Sequence, residues 1–536
     1  MNTTALNFID RRASFKALEA EEFDVLVIGA GITGCGTARD TAMRGLRVAL
    51  IDANDIGSGT SSRSSKLIHG GLRYLAQGDI GVVREAANER RILRHLAPHL
   101  ARTNPMVILA RSKTALTALR AALWSYEKLG HVDKHEKHKV WDSERLRAEE
   151  PQIRAENYTG AIVYPEYLTD DARLTLGNAR SAAGYGAVVV TYAICDEIIM
   201  ENGRAAGAIV RSTLPGDEEA ARVRARVIVN SAGPWLDLIR HMEDPQAKKI
   251  LQLTKGIHLV IARERLPINR TITMTAQDRR GIFAIPNRDV VYIGTTDTFY
   301  PQAEYWPKIS HEDVSYLLKS VSPSFNTAPL EDKDVIALWA GIRPLLGEEG
   351  KKPSEISRRN EIFKSPGGIL SVAGGKLTSY RSMAARLADK CQAALGQKVR
   401  PSATAEEPLP GGEFTGTLES LRAELERLGL DSSESERAAY LYGSEARNIF
   451  AKGKGPEVEA EFAVLSEGAL TLEDYWMRRS ARAHFDLDGG MAALEPAAKR
   501  MGELLNWSPQ EKDRQIEVCR ARRAAEMAVL SQSKKD

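Results

Sequence analysis

Three glycines near the start of the chain have the spacing of a phosphate-binding turn. Gly29, Gly31 and Gly34 form a GxGxxG motif, which follows an apolar run typical of a buried strand at residues 23–29. In such a motif the first glycine permits a tight turn, the second lets the backbone approach a pyrophosphate, and the third lets helix and strand pack closely. The N-terminus of the following helix adds unpaired N–H groups and a positive dipole end. The turn therefore predicts binding of a dinucleotide.

An acidic residue closes the second predicted strand of the same unit. A helical pattern runs from the glycine turn to Arg44, and an apolar strand covers residues 47–51, so that strand, turn, helix and strand form a βαβ unit. Asp52 follows, where a carboxylate can accept hydrogen bonds from the adenosine ribose hydroxyls. NAD and FAD both use this unit. The N-terminal position of the motif favours FAD, as does a second glycine-bearing strand end further along the chain, at Gly233.

The composition indicates a folded globular protein of two or three domains. Its 536 residues include 74 Lys and Arg against 71 Asp and Glu, a net charge of +3, which gives no case for nucleic-acid binding. The four cysteines are far apart and form no CxxC pair, so we expect neither a metal site nor a disulfide framework, and a reducing cytoplasm fits. We find no signal-peptide core and no apolar stretch of about 18 residues. Attachment to a membrane surface stays open.

Other elements are predicted more coarsely. The sequence predicts a solvated, partly helical leader at residues 1–22 and helix at residues 80–130. A strand is predicted at 223–229, and a strand, a glycine turn and a helix at 367–390. After residue 412 the composition shifts to Ala, Glu, Arg and Leu, which predicts a helical domain.

The stretch TSSRSSKLIHGGLRYL at residues 60–75 resembles the signature of the FAD-dependent glycerol-3-phosphate dehydrogenases, within the D-amino-acid-oxidase-like flavoproteins. Further similar segments follow in the family's order, at residues 170–174, 230–235, 255–258, 293–297, 341–345 and 374–380. The sequence LPGG at 409–412 resembles the start of the family's C-terminal helical domain. The similarity therefore extends over nearly the whole chain.

The resemblance implies an α/β fold with a second and a third domain. A Rossmann-like βαβ FAD-binding domain would be assembled from discontinuous segments, beside a mixed α+β substrate domain and an all-α C-terminal domain. The expected boundaries are a leader at 1–22, FAD-binding segments at about 23–80, 160–240 and 335–398, substrate segments at about 81–159 and 241–334, and the helical domain at 399–536.

The resemblance also implies an activity. The family oxidises sn-glycerol 3-phosphate to dihydroxyacetone phosphate by hydride transfer to FAD and passes the electrons to a membrane quinone. The expected location is cytoplasmic, peripheral on the inner face of the cell membrane, and a homodimer is left open. The basic amphipathic segment 84–129, with Trp124 and Tyr126, suits anionic lipid, or else it packs as a helix pair on the substrate domain.

Several alternatives to this activity remain at this point. A related flavin oxidase would use oxygen as the acceptor, or would act on an amine or an amino acid. A flavoprotein without turnover and an NAD-dependent dehydrogenase are the other two. We expect non-covalent FAD, because no cysteine lies near the GGKLT segment at 374–378.

The family match assigns three cations to the substrate phosphate: Arg343, Arg358 and Lys376. Arginine suits this role because its planar guanidinium binds a phosphate dianion in a bidentate manner. Arg343 precedes Pro344 at a predicted strand end, where side chains reach a ligand crevice. Lys376 is also a catalytic candidate, which would orient the substrate instead of titrating.

Oxidation of an alcohol also requires removal of the hydroxyl proton. Histidine is the first candidate for the base, since its pKa lies near neutrality. His258, in the apolar strand pattern KGIHLV, is preferred, and His69 in the flavin-loop signature is the second candidate. Arg73 and Tyr74 follow two glycines, which let the backbone pass close to the flavin ring.

The remaining cofactor contacts come from hydroxyl-rich and glycine-rich turns. Short hydroxyl side chains suit hydrogen bonds to the pyrophosphate and the ribityl chain, although such residues are also common in ordinary turns. A helix N-terminus after the second turn would stabilise reduced flavin. The expected contacts are Thr60, Ser61, Ser62, Ser65, Lys66, Leu67, His69, Gly375 and Thr378.

Overall fold

The computed structural model describes residues 4–69, 80–130, 136–276, 278, 280–347, 361–413 and 416–534. The strands are β1 (Phe23–Ile28), β2 (Val48–Ile51), β3 (Leu67–Ile68), β4 (Arg102–Ala110), β5 (Lys139–Asp142), β6 (Gly160–Leu168), β7 (Val188–Val190), β8 (Ala193–Glu201), β9 (Arg204–Ser212), β10 (Ala220–Asn230), β11 (Leu251–Ala262), β12 (Thr271–Thr275), β13 (Gly281–Asn287), β14 (Val290–Gly294), β15 (Thr298–Phe299), β16 (Val335–Leu346), β17 (Glu361–Lys364) and β18 (Leu370–Ala373). The helices are α1 (Arg11–Glu19), α2 (Ile32–Met43), α3 (Ile80–Leu96), α4 (Lys113–Gly130), α5 (Ser143–Glu149), α6 (Asp171–Gly184), α7 (Leu236–Glu243), α8 (His311–Val321), α9 (Tyr380–Ala394), α10 (Leu418–Arg427), α11 (Ser432–Tyr442), α12 (Ala446–Phe450), α13 (Pro456–Glu467), α14 (Arg482–Phe485), α15 (Met491–Leu505) and α16 (Pro509–Met527).

The first sheet contains the predicted βαβ unit. Its order is β17-β18-β10-β1-β2-β7, with β1 parallel to both β2 and β10, and β8 and β9 continue antiparallel from β10. Helix α2 packs between α6 and α9 on one face. All six residues of β1 are buried, as expected for a parallel strand that is covered on both faces. The carboxyl ends of β1, β2, β10 and β18 therefore lie along one edge, where an α/β sheet binds its ligands.

The second sheet is mostly antiparallel. Its order is β15-β11-β14-β13-β12-β4-β6-β3, with β16 paired to β11 and β5 paired to β6. Strands β11 and β16 pair over nearly their whole lengths. Separate apolar clusters fill the space on its two faces.

The C-terminal region of the described chain is helical from α10 onwards. It includes one π-helical turn at Asp474–Arg479, which follows α13. Trp476, Leu494 and Met501 are among the residues of its own apolar core. These observations, with the two sheets, confirm the predicted fold class of an α/β domain, a mixed second domain and an all-α domain.

Two local predictions are wrong. Helix α1 belongs to the expected solvated leader, yet Phe15 and Leu18 are almost completely buried against the first sheet, because they lie on the apolar face of an amphipathic helix. The expected helix at 80–130 is divided by β4, which contains Pro105. Proline lacks the N–H that a helix interior needs, and the apolar run after it fits a pleated strand instead.

The domain boundaries stay a prediction, but two strands pair differently from their expected segments. Strands β6 and β16 fall within the stretches expected for FAD binding, whereas each pairs antiparallel with a strand of the second sheet, β4 and β11 respectively.

All four cysteines are buried free thiols. None of the helices in the described part of the chain combines the length and the apolar character that a membrane crossing requires.

Candidate functional site

A cavity lies along the carboxyl edge of the first sheet. Its volume is about 500 Å³. It runs past the glycine turn after β1, past the loops that follow β2 and β10, and on to the glycine turn after β18. The predicted cofactor residues that line it are Gly29, Gly31, Asp52, Thr60, Ser61, Gly233 and Gly375, together with Lys376. The topology therefore brings together residues that are up to 347 positions apart in sequence (376 − 29).

The glycine turn has the geometry that its motif predicts. Gly29 has φ +105, and a Cβ atom there would lie 2.6 Å from the carbonyl oxygen of Ser231. At Gly34 a Cβ atom would lie 1.8 Å from the carbonyl oxygen of Gly29, so only glycine lets α2 approach β1 this closely. Gly31 is the N-cap residue of α2. The backbone N–H groups and the positive end of the helix are thus available to a pyrophosphate in the cavity.

Asp52 is held at the end of β2 by two backbone donors. Its carboxylate accepts hydrogen bonds from the N–H of Ala30 at 2.6 Å and the N–H of Asn54 at 2.9 Å. Burial raises the pKa of Asp52 to about 7, because the two hydrogen bonds only partly offset the loss of water. A carboxyl that is fixed at this position can accept hydrogen bonds from ribose hydroxyls.

The hydroxyl-rich loop after β2 bridges the two sheets. Ser61 accepts a hydrogen bond from the N–H of Ile32 at 2.9 Å, which ties the loop to the first turn of α2. Thr60 donates to the carbonyl of Ile342 in β16 at 2.6 Å. Ser62 is buried, and its hydroxyl makes a long contact of 3.5 Å to the carbonyl of Gly59. Thr60 and Ser61 line the cavity, while Ser62 does not.

Lys66 and Leu67 lie outside the cavity lining. The ammonium of Lys66 contacts Asp171 at 2.5 Å and donates to the carbonyl of Ser62 at 3.1 Å. Burial acts to lower the pKa of Lys66, but the pairing with Asp171 dominates and raises it. Leu67 is buried in β3, opposite Leu168. The structure therefore gives Lys66 an ion-pairing role inside the loop and Leu67 a packing role.

Arg343 lies on the face of the second sheet that the loop covers. Its guanidinium donates to Asp297 at 3.1 Å and to the hydroxyl of Thr295 at 2.9 Å. It extends over Gly256 of β11, where a Cβ atom would lie 2.1 Å from Nη2. About a fifth of the side chain is exposed. Arg343 is thus held rigidly in place while part of it still faces solvent.

His258 lies on the same face, two residues beyond Gly256. Its Nε2 atom is 2.8 Å from the Ser65 hydroxyl, and its ring stacks on Trp339 with centroids 4.8 Å apart. Within the described part of the chain, Nδ1 has no hydrogen-bond partner. Burial lowers the pKa of His258 well below 6.5, and the nearby positive charges of Arg343 and Lys66 lower it further. The imidazole is therefore neutral at physiological pH.

The second glycine turn forms the far end of the cavity. Gly375 has φ +98, and Lys376 begins the short 3₁₀ turn Leu377–Ser379 that leads into α9. Thr378 is buried and donates to the carbonyl of His69 at 3.3 Å, which joins this turn to the end of the loop after β2. Arg73, Tyr74 and Arg358 lie outside the described residues.

The cavity lining also includes residues that were not predicted as ligand contacts. Asn54, Trp235 and Tyr305 line the cavity near Asp52. Trp235 belongs to segment 230–235, which resembles the family, so the sequence contained a signal that this residue lies near the cofactor. Tyr305 comes from the region between β15 and α8, which carries no recognisable pattern.

The cavity fits a dinucleotide. It combines a helix N-terminus for the phosphates, a carboxyl at a strand end for a ribose, and a second glycine turn at the opposite end. Residues 24–381 match the model of the FAD dependent oxidoreductase family, and residues 402–512 match the model of the C-terminal domain of alpha-glycerophosphate oxidase.

Curated relatives match nearly the whole chain. The aerobic glycerol-3-phosphate dehydrogenase of Bacillus subtilis (strain 168) is 35% identical over 539 residues, which cover 95% of this chain and 96% of the relative. The protein of the same name from Staphylococcus aureus (strain USA300) is 35% identical over 95% of both chains.

Solved structures agree with these matches. The glycerol-3-phosphate dehydrogenase from Bacillus halodurans complexed with FAD has a TM-score of 0.82 and 31% identity over 99% of both chains. Glycine oxidase from Geobacillus kaustophilus, at 18% identity, 74% coverage of this chain, 100% coverage of its own and a TM-score of 0.53, shares the fold alone. The predicted cofactor class, FAD, is thereby confirmed. The chain belongs to the family of FAD-dependent aerobic glycerol-3-phosphate dehydrogenases.

Proposed function

We propose that this protein oxidises sn-glycerol 3-phosphate to dihydroxyacetone phosphate and passes the electrons to a membrane quinone. The observation that carries the proposal is the shared face of β11 and β16, where Arg343 and the neutral imidazole of His258 lie beside the loop that lines the cofactor cavity. A cation for a phosphate and a neutral base for a hydroxyl are what this substrate requires.

The residues of the cavity would hold FAD without a covalent bond. The turn at Gly29–Gly34 and the N-terminus of α2 would receive the pyrophosphate, and Asp52 would receive the adenosine ribose. The flavin end would extend toward Gly375 and Lys376. When it is bound, FAD supplies the hydride acceptor for the carbon that carries the hydroxyl group.

Arg343 would bind the substrate phosphate. Its contacts to Asp297 and Thr295 fix the plane of the guanidinium, so little side-chain entropy is lost when a phosphate binds. Lys376 lines the cavity and would orient the substrate. Roles for Arg358 at the phosphate, and for Arg73 and Tyr74 at the flavin, remain proposals that rest on the family resemblance.

His258 would accept the hydroxyl proton. A neutral imidazole has a free acceptor position, and Ser65 restricts the orientation of the ring. Arg343 and Lys66 help to lower the pKa of His258 in the absence of substrate. A phosphate dianion that binds to Arg343 offsets this positive charge, so substrate binding would make His258 a stronger base. His69 is the second candidate for the base.

The outer face of α4 would contact the membrane surface. Trp124 is 53% exposed, and the ammonium of Lys128 lies 4.0 Å from the centre of its ring. An exposed tryptophan beside a lysine suits the boundary of an anionic membrane. This arrangement supports a peripheral position on the inner face of the cell membrane, where a quinone is accessible.

The test is an anaerobic absorbance spectrum of the purified protein before and after addition of glycerol 3-phosphate. We expect this substrate to bleach the flavin band, and glycerol and a D-amino acid to leave it unchanged. A flavin band that persists after addition of glycerol 3-phosphate would exclude this compound as the substrate.

An oxygen-using glycerol-3-phosphate oxidase is the second candidate. The match of residues 402–512 to the C-terminal domain of alpha-glycerophosphate oxidase favours it. Reoxidation of the bleached protein distinguishes the two acceptors. Rapid reoxidation by a water-soluble quinone, with little hydrogen peroxide formed in air, supports the dehydrogenase, and stoichiometric peroxide supports the oxidase.

A further inference from the structure

Two consecutive aromatic residues connect the cofactor cavity to the C-terminal helical domain. Tyr305 and Trp306 lie in the segment between β15 and α8. Tyr305 lines the cavity, whereas Trp306 packs against the apolar core of the C-terminal helices. The two side chains therefore contact different domains from adjacent backbone positions, and a shift of one must affect the other.

Tyr305 forms a wall at the Asp52 end of the cavity. Its ring stacks on Trp235, with centroids 4.3 Å apart and an angle of 28° between the planes. Its hydroxyl interacts with the side chain of Asn54, which lies two residues after Asp52. Trp235 in turn lies against Gly59, where a Cβ atom would be 3.3 Å from the indole. These aromatic surfaces surround the place where the adenosine half of a dinucleotide is expected.

Trp306 is held by two arginines from different domains. The guanidinium carbon of Arg63, in the loop after β2, lies 4.0 Å from the centre of the indole ring. That of Arg522, on α16, lies 3.8 Å from the ring centre. Contacts of this kind are attractive because the indole face is electronegative, and they are strongest where water is excluded. Arg522 is 28% exposed and lies 3.9 Å from Glu473.

We propose that Tyr305 and Trp235 complete the adenosine site of FAD, and that Arg522 positions Tyr305 by holding Trp306. The C-terminal helical domain would thus control how tightly the cofactor is retained. Arg522 and Trp306 are positioning residues, since they act through Tyr305. The inference rests on the FAD-binding part of the proposed function and not on the substrate, so a protein that fails to oxidise glycerol 3-phosphate would leave it intact.

The test compares two transitions in the FAD-loaded protein during heating. Release of FAD appears as a rise in flavin fluorescence, and unfolding appears as loss of far-UV circular dichroism. In Arg522→Gln and Trp306→Leu, we expect FAD release at a lower temperature with little change in unfolding, and an increase of about tenfold in the rate of FAD release at constant temperature. Arg520→Gln is the matched control, because Arg520 lies on the same helix and forms an exposed pair with Glu495.

Conservative variants separate positioning from general stability. Arg522→Lys and Trp306→Phe keep a cation and a ring, so each should recover most of the FAD retention. If Trp306→Leu does not fold, Arg522→Gln still tests the positioning role, and Tyr305→Leu tests the adenosine contact, because that side chain faces the cavity and not the helical core. The proposal is overturned if the variants release FAD like Arg520→Gln, or if release and unfolding shift together by the same amount.

Discussion

The Nε2 atom of His258 lies 2.8 Å from the hydroxyl oxygen of Ser65. His258 belongs to β11 of the second sheet, whereas Ser65 belongs to the loop that follows β2 of the first. One contact therefore sets the orientation of the proposed base relative to the cofactor loop. The stack on Trp339 restricts the same ring from its face, so the imidazole has little freedom to rotate.

Replacement of His258 should slow the chemical step and leave FAD bound. In His258→Gln, we expect the rate of anaerobic flavin reduction by glycerol 3-phosphate to fall about 100-fold to 10,000-fold, the range for loss of a general base. Ser65→Ala should cause a smaller loss of about tenfold, since only the orientation is affected. Stopped-flow absorbance gives both rates. His95→Gln, an exposed histidine on α3, is the control, and an undiminished rate in His258→Gln would exclude it as the base.

Replacement of Arg343 should weaken binding of the substrate phosphate more than it slows the reaction at the alcohol carbon. We expect kcat/KM for glycerol 3-phosphate to fall about 100-fold in Arg343→Gln, as for loss of a charged hydrogen-bonded pair, and to recover only partly in Arg343→Lys, because lysine cannot bind in a bidentate manner. The rate of flavin reduction at saturating glycerol 3-phosphate should fall less than kcat/KM, because the loss of phosphate binding raises KM. Arg265→Gln, whose partner is Asp334 at 3.0 Å, serves as the control. A loss in kcat with an unchanged KM would contradict a phosphate role.

The third glycine of the turn should tolerate no side chain. In Gly34→Ala, the new Cβ atom would lie 1.8 Å from the carbonyl oxygen of Gly29, so α2 must move away from β1. We expect a lower unfolding temperature and loss of bound FAD. Gly177→Ala is the matched control, because Gly177 is also buried in a helix, but its Cβ atom would meet its neighbours at 3.6 Å. That change should be neutral or stabilise the protein by up to about 1 kcal/mol.

The βαβ unit that positions the predicted cofactor residues follows from short-range patterns in the sequence. The positions of Gly29, Gly34 and Asp52 follow from one strand, one helix and the next strand, and these elements pack locally wherever the pattern occurs. Lys66 was different, because its partner Asp171 lies 105 positions away. A buried ion pair of this kind cannot be predicted from the loop sequence alone, and the expected cofactor contact of Lys66 stays a prediction.

Contacts between residues that are distant in sequence also explain two features that the sequence patterns did not predict, the pairing of β16 and the position of Tyr305. Strand β16 was expected with the FAD segments, but its partner is β11, and that pairing places Arg343 opposite Thr254. Tyr305 follows a two-residue strand and has no periodic pattern around it. Its position in the cavity depends on contacts with Trp235 and with the C-terminal domain, neither of which a local pattern contains.

Buried histidines should make stability depend on pH. Burial lowers the pKa of His99 to about 3. Below the unfolded pKa of about 6.5 the unfolded chain then binds more protons than the folded one, so stability is lost as pH falls. In His99→Asn this contribution to the pH dependence should be absent. As the pH falls below 6.5, the free energy of unfolding of the variant should therefore decrease less steeply than that of the wild type, by about 1.4 kcal/mol per pH unit.

The difference between variant and wild type is the quantity to measure for His99. The pKa values of Asp52 and Glu526 are raised by burial to about 7 and about 8, and these carboxyls change the stability in the opposite direction. Their effects cancel in the comparison. Urea unfolding at pH 7.5, 6.5 and 5.5 gives the slopes, and parallel lines for His99→Asn and the wild type would show that His99 is not buried in its neutral form.

A buried ion pair links the cofactor loop to the C-terminal domain. Asp55, which lies between Asp52 and the loop, accepts hydrogen bonds from Arg478 at 2.5 Å and from Arg479 at 2.7 Å. Burial acts to raise the pKa of Asp55, but the two guanidinium groups dominate and hold it below 3.8. In Asp55→Asn, two cations stay buried without a carboxylate at this position, and we expect a loss of about 3–5 kcal/mol in the free energy of unfolding.

Comparison with an exposed pair isolates the effect of burial at Asp55. Asp196 contacts Arg211 at 2.7 Å on the surface, where water and salt screen the charges, so Asp196→Asn should leave the urea midpoint unchanged. Both variants are measured with saturating FAD, which removes differences in cofactor content. Because Asp55 lies near the adenosine end of the cavity, Asp55→Asn should also release FAD faster. Similar midpoints for the two variants would mean that the C-terminal domain is held to the cofactor loop by apolar contacts and not by this ion pair.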